Sequence, residues 1–162
     1  MPIPTTKVTQ ILDAHKVSYR VLPHCEPVFT VAAAAQQRGV IAEEMVKSIL
    51  LRDRQHRYVM AGVLGHMRLA PKAVRAHLPD GWQRLSFATA DEILAVTGFV
   101  QGAVAPLGLP PNIPVIFDQA IAQCSKVNIS SGDPMAGIEL AAADLIRVSH
   151  AEIAAIALLS RK

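Results

Sequence analysis

Residues 43–53 read EEMVKSILLRD, an apolar run with one lysine at its centre. A β-strand turns successive side chains to opposite faces. On that spacing Met45, Lys47, Ile49 and Leu51 share one face, and Val46, Ser48 and Leu50 the other. Lys47 thus falls on the more apolar face. Two readings are open: its ammonium snorkels out at a sheet edge, or it points into a cavity that wants a positive charge.

Outward from this strand, DRQH (53–56) reads as a turn and RYVMAGVL (57–64) as the returning strand, giving a hairpin with a basic tip. Upstream, TTKVTQILDAHK has helical spacing at Val8, Ile11 and Leu12, with Thr5 or Thr6 as cap. SYRVL reads as a short strand, and PVFTVAAAAQQRG as a helix capped by Thr30 and ended by Gly39. Downstream, Pro71 starts a helix that stops before Pro79, QRLSFA is a strand, and TADEILAVTG is a helix capped by Thr89. VIFD, KVNISSG and GIEL read as strands, the last two joined across a Gly-Asp-Pro turn, and AADLIRVSHAEIAAIALL as partly helical. Short helices among neighbouring strands, without regular βαβ alternation, predict an α+β fold. The expected architecture is a single domain over residues 1–162, with a mixed, mostly antiparallel sheet flanked by short helices.

Half of the 162 residues are hydrophobic but only 4% are aromatic, so the core must come from Ala, Val, Ile and Leu. Apolar runs are broken well short of the roughly 20 residues needed to cross a bilayer. The opening MPIPTTKVTQ has no apolar stretch of the secretory kind. With Cys25 and Cys124 as ordinary thiols, a cytoplasmic protein without a membrane partner is expected. The charge is uneven: residues 45–88 hold eight Lys and Arg against Asp53 and Asp80, a balance of +6, and the remainder carries −3. This fits either a polyanionic partner or a solvated hairpin and helix face.

Familiar catalytic signatures are missing: no G-x-S-x-G, Walker loop, H-E-x-x-H or C-x-x-C occurs. The six histidines lack ligand spacing, and His24 and Cys25, adjacent along a strand, would face apart, so no metal is expected. What remains is Lys47 with Ser48, and the loop GFVQGAVAPLG. There Gly102 and Pro106 bracket Ala103, Val104 and Ala105. Such a loop either lets backbone N–H groups approach a ligand or is only a turn.

Taken in order, MVKSILL, TGFVQGAVAPLG and SSGDPMAGIELAAADL resemble the YbaK/prolyl-tRNA-synthetase-associated domain family, over roughly residues 28–146. Its members are aminoacyl-tRNA deacylases that clear wrongly charged tRNA in trans or as an insertion in the synthetase. The resemblance implies the same activity here, on a small amino acid (alanine, serine or cysteine) carried by tRNA for proline. Implied partners are aminoacyl-tRNA and a synthetase, with neither cofactor nor DNA. Lys47 matches the lysine the family needs, and Gly102 to Pro106 its Gly-x-x-x-Pro loop, which helps place the ester. Phe29 matches a phenylalanine of some members, or else only packs on the start of the following helix. Ser48 stands where the cysteine-clearing branch has threonine and the alanine-clearing branch asparagine. Ser131, Gly132 and Gly137 belong to the third motif and are expected beside the substrate. Gly137 is a departure, since the cysteine branch has aspartate there. The histidine that the alanine branch has near this turn is also missing from residues 130–140. Arg52, Arg54 and Arg57 of the hairpin tip, with Lys72 and Arg75, are the residues expected to receive the tRNA acceptor stem. The rival reading is a non-catalytic tRNA-binding or adaptor module that keeps the fold.

Overall fold

A computed structural model describes residues 5–159; the first four and last three residues of the domain expected over 1–162 lie outside the described residues. Its centre is the predicted hairpin, β2 (Val46–Arg52) and β3 (Tyr58–Leu64), paired antiparallel with Lys47 opposite Val63 and Ser48 opposite Gly62. β5 (Ser86–Phe87) flanks β2; β6 (Val115–Asp118) and β9 (Glu152–Ala154) extend the other side in parallel, in the order β5-β2-β3-β6-β9. β3 is buried along nearly its whole length, as suits a central strand of Val, Met, Ala and Leu. Met60 and Leu64 join a large core with α1 (Lys7–Ala14) and α6 (Ala142–Ser149). Val59, Ala61 and Val63 turn the other way, to a second core with Leu51, Ile116 and Val74 of α3 (Pro71–Ala76).

The fold is α+β, as expected, but its strands form three sheets instead of one. β1 (Tyr19–Pro23), β8 (Ala136–Ala141) and β7 (Lys126–Ser130) make an antiparallel sheet in the order β1-β8-β7. A parallel bridge from Asn128 to Met45 ties this sheet to the start of β2. β4 (Met67–Leu69) pairs with β10 (Ala157–Leu159). The stretch 142–159, read from sequence as partly helical, holds α6 in its first half and β9 and β10 in its second. Alternation along a strand says which side chains share a face but not which strands meet.

The helix ends behave as their sequences require. Thr6, Thr30 and Thr89 each accept a backbone N–H at the start of α1, α2 (Val31–Arg38) and α4 (Ala90–Thr97). In α4, Glu92 returns a bond to the Thr89 N–H and closes a capping box. The remaining helix, α5 (Gln119–Ala122), is a single turn after Asp118. No helix among the described residues is long and apolar enough to cross a membrane.

Candidate functional site

β5 covers β2 only at Leu51 and Arg52, which leaves the Val46–Ser48 edge of β2 without a strand partner. A cavity of about 150 Å³ lies along this edge, so residues of both faces reach it, Lys47 as well as Ser48. Phe29 and Thr30 at the start of α2, Arg38 at its end, Gly102 with Val104, and Ser130 of β7 complete the polar and loop parts of its wall. Four distant stretches of chain therefore meet around one lysine.

The lysine is neither loose nor fully buried. Its Nζ donates to the Met67 carbonyl of β4, and burial lowers its pKa from the ordinary lysine value. Lys47 thus lines the cavity while its ammonium is held by the Met67 carbonyl. Beside it, the Ser48 Oγ is shielded from solvent and has no hydrogen-bond partner among the described residues.

Gly102 closes the cavity against α2. Its φ of +89° is a left-handed conformation, and an added Cβ would lie 2.8 Å from the Phe29 Cα, Cβ and O atoms. Only glycine allows that approach without a shift. Phe29 lines the cavity and is 54% exposed. Within the loop, Gly102 and Val104 line the cavity, while Ala103 and Ala105 are buried in the protein. Pro106 is also buried and borders a different hollow, beside Ile11 and Gly108. The Ala103 N–H is engaged by the Val100 carbonyl at 3.0 Å, so the loop's other residues must supply any donors to a ligand.

The third motif sits one step back. Ser131 is buried, and its Oγ donates to the Ala136 carbonyl and accepts the Asp133 N–H, which builds the turn. Gly132 packs against the Phe99 ring. Gly137 lies against the Arg38 side chain, which a Cβ there would overlap. Ser131, Gly132 and Gly137 thus shape the surroundings without lining the cavity, whereas Ser130 lines it. The sequence reading missed Ser130, Thr30 and Arg38, the last a basic residue in the final turn of α2.

No carboxylate or imidazole among the described residues lines the cavity. Among the described residues no cluster of three His, Cys, Asp or Glu could hold a metal. His24 is buried and Cys25 exposed, and both lie beyond the end of β1, not within a strand as expected.

A second, larger concavity of about 1330 Å³ shares no lining residue with the first. Arg54, Arg68, Lys72, Arg75 and Arg84 line it, with Asp80 as its one acid. Phe87, 59% exposed, stands in its wall. Two of the five cations expected for RNA are engaged elsewhere. Arg52 pairs with Glu92 at 3.1 Å. Arg57 pairs with Asp53 at 2.7 Å and lies 4.8 Å from the centre of the Trp82 ring. Arg54, Lys72 and Arg75 do face the groove; Arg68 and Arg84 join them, unforeseen.

Asp53 fixes the hairpin tip. It is almost fully buried, and burial pushes its pKa up, but N–H groups from Arg57, Gln83 and Gln55 and the Arg57 guanidinium outweigh this and hold it at about 2.

Comparison with known proteins gives the family and the fold. A 28%-identical match is the prolyl-tRNA editing protein ProX of Acetoanaerobium sticklandii, covering 86% of this chain and 87% of that protein. A proline–tRNA ligase of Trichlorobacter lovleyi is 35% identical over 64% of this chain, which spans only 18% of the ligase. The crystal structure of the hypothetical protein APE2540 superposes with a TM-score of 0.85 at 28% identity, over 94% of this chain and 100% of that one. The family model for the aminoacyl-tRNA editing domain matches residues 25–148, which include β2, the 102–106 loop and β8, and the chain belongs to that family.

Proposed function

We propose that this protein is an aminoacyl-tRNA deacylase that hydrolyses the ester of a small amino acid wrongly attached to tRNA, acting as a free-standing editing factor in the cytoplasm. Alanine, serine and cysteine are the candidate amino acids, and tRNA for proline the candidate carrier. Water adds across the ester; the C–O bond to the ribose breaks, releasing the amino acid carboxylate, a proton and the free ribose hydroxyl. The observation that carries this reading is the small cavity in which a desolvated lysine, an unpartnered serine hydroxyl and a glycine loop converge.

The ester is activated by its neighbouring ribose hydroxyl, so modest catalysis suffices. Lys47 supplies positive charge for the terminal phosphate or for the oxyanion as it develops, where one well-placed donor is worth about 3 kcal/mol. The Gly102 loop fixes the carbonyl, and the reacting water is held by backbone carbonyls or by the ribose hydroxyl, since the cavity wall offers no side-chain base. Selection is by size: one methylene is worth about 1–3 kcal/mol, so neighbouring small residues are accepted together. The basic groove receives the acceptor stem through Arg54, Arg68, Lys72, Arg75 and Arg84, and a synthetase is the natural source of the substrate.

The test is a panel of tRNAs charged with different amino acids, followed for ester loss. Accelerated loss of the small esters is expected; spontaneous rates throughout, from folded protein, would reject the reading.

A further inference from the structure

Among the described residues, Arg38 is the one charged side chain besides Lys47 on the cavity wall. It is held by a chain of neutral groups. The His24 Nδ1 lies 2.7 Å from the Pro134 carbonyl and must donate to it, which leaves Nε2 to accept from the Arg38 Nε at 3.1 Å. Arg38 Nη1 donates to the Asn128 Oδ1 at 2.9 Å, and the Asn128 Nδ2 donates to the Glu44 carbonyl at 3.1 Å. Accepting at Nε2 requires the neutral imidazole. Burial, the largest influence, lowers the His24 pKa in the same sense, with the charge of Arg38 adding to it against the Pro134 hydrogen bond and Asp133. Burial also brings the guanidinium down to about 10, which leaves it charged at neutral pH.

Among the described residues no carboxylate lies within 4 Å of this cation. The nearby Asp133 caps its own turn by accepting the Met135 N–H at 2.8 Å. The end of α2 offers partial compensation and no full counter-charge. A desolvated cation without a counter-ion is costly unless a ligand provides one. Gly137 allows the arrangement, because any Cβ there would overlap the guanidinium. The missing aspartate at residue 137 is therefore the space that Arg38 fills.

We infer that Arg38 is a specificity residue whose remaining N–H groups bind an anionic oxygen of the substrate. Two sources share that chemistry: a carboxylate on the amino-acid side chain, and a phosphate of the tRNA terminus. The inference rests on the deacylase reading for its substrate, but the anion site itself can be tested without turnover.

In ¹⁵N-labelled protein, the amide signals of Ser48 and Ser130 are followed during titration with sodium acetate and with inorganic phosphate. Saturable shifts that vanish in Arg38→Gln, and also in Gly137→Ala, which displaces the guanidinium, are expected. Shifts that fail to saturate, or that persist unchanged in Arg38→Gln, overturn the anion site even if every charged tRNA is cleaved. Turnover then identifies the source, using aspartyl and alanyl esters on one tRNA and on free adenosine, which has no phosphate. For a side-chain carboxylate, Arg38→Gln lowers aspartyl turnover at least about tenfold on both carriers and leaves alanyl turnover within about twofold. For a terminal phosphate, it lowers both esters about equally on tRNA and neither on adenosine. Equal loss on all four substrates, or loss on none, overturns the specificity role. Absence of turnover in the parent protein rejects the deacylase reading while the titration still decides the anion site.

Discussion

The lysine cavity and the basic groove are opposite kinds of site. The groove is wide and open, and its cations come almost wholly from one continuous stretch, residues 54–84. The cavity is nearly ten times smaller and draws on residues as far apart as Phe29 and Ser130. One collects charge; the other isolates it. A screened surface charge acts weakly on its neighbours, whereas a partly desolvated cation in a small cavity acts strongly on any charge that develops beside it.

Replacing Lys47 should separate the two most sharply. In Lys47→Ala, turnover should fall at least about a hundredfold, the effect of removing one strong electrostatic interaction from the transition state, while RNA binding and melting temperature change little. Unchanged turnover would remove the lysine from the mechanism. Gly102→Ala comes next. Its φ of +89° and the 2.8 Å approach to Phe29 predict strain of about 1–3 kcal/mol and a distorted cavity, read as lower kcat and a lower melting temperature. A variant indistinguishable from the parent would show that the loop tolerates a side chain.

Acid should act on the groove side first. Asp53 has its pKa held down at about 2, so the stabilisation it gives the hairpin is fully present above the ordinary carboxylate value near 4. It is lost as pH falls from there through about 2, amounting to about 2 kcal/mol, and Asp53→Asn should flatten that part of the stability curve. Denaturant titrations at stepped pH provide the measurement. The smallest effect belongs to the groove's exposed cations. Arg68→Ala with Arg84→Ala should weaken tRNA binding, and reduce the slope of log affinity against log salt by about 0.7–0.9 for each phosphate no longer neutralised. An unchanged slope would move the RNA elsewhere.

This contrast also explains what the sequence could say. The groove was foreshadowed by a run of like charges, although Arg52 and Arg57 belong to ion pairs that no composition reveals. Helix ends were legible because caps are local: Thr6, Thr30, Thr89, Gly39 and Gly98 each act within one turn. β4, β9 and β10 were not, since three-residue strands rich in Ala and Leu are created by the neighbours they pair with. In the cavity, Lys47, Ser48, Phe29, Gly102 and Val104 were named from motifs and do come together. Ala103, Ala105 and Pro106 share their motif but turn away from the cavity. Arg38 was invisible because nothing along the chain links it to Gly137, ninety-nine positions later. The one available signal was the absent aspartate.

A last consequence follows from β4. Its Met67 carbonyl steadies the Lys47 ammonium, and the very next residue, Arg68, lines the groove. This short ribbon is latched in turn by β10, whose Leu158 lies opposite Arg68. A shift of this ribbon would therefore move the wall of the groove and the carbonyl that holds the amine together, because a single peptide link joins them.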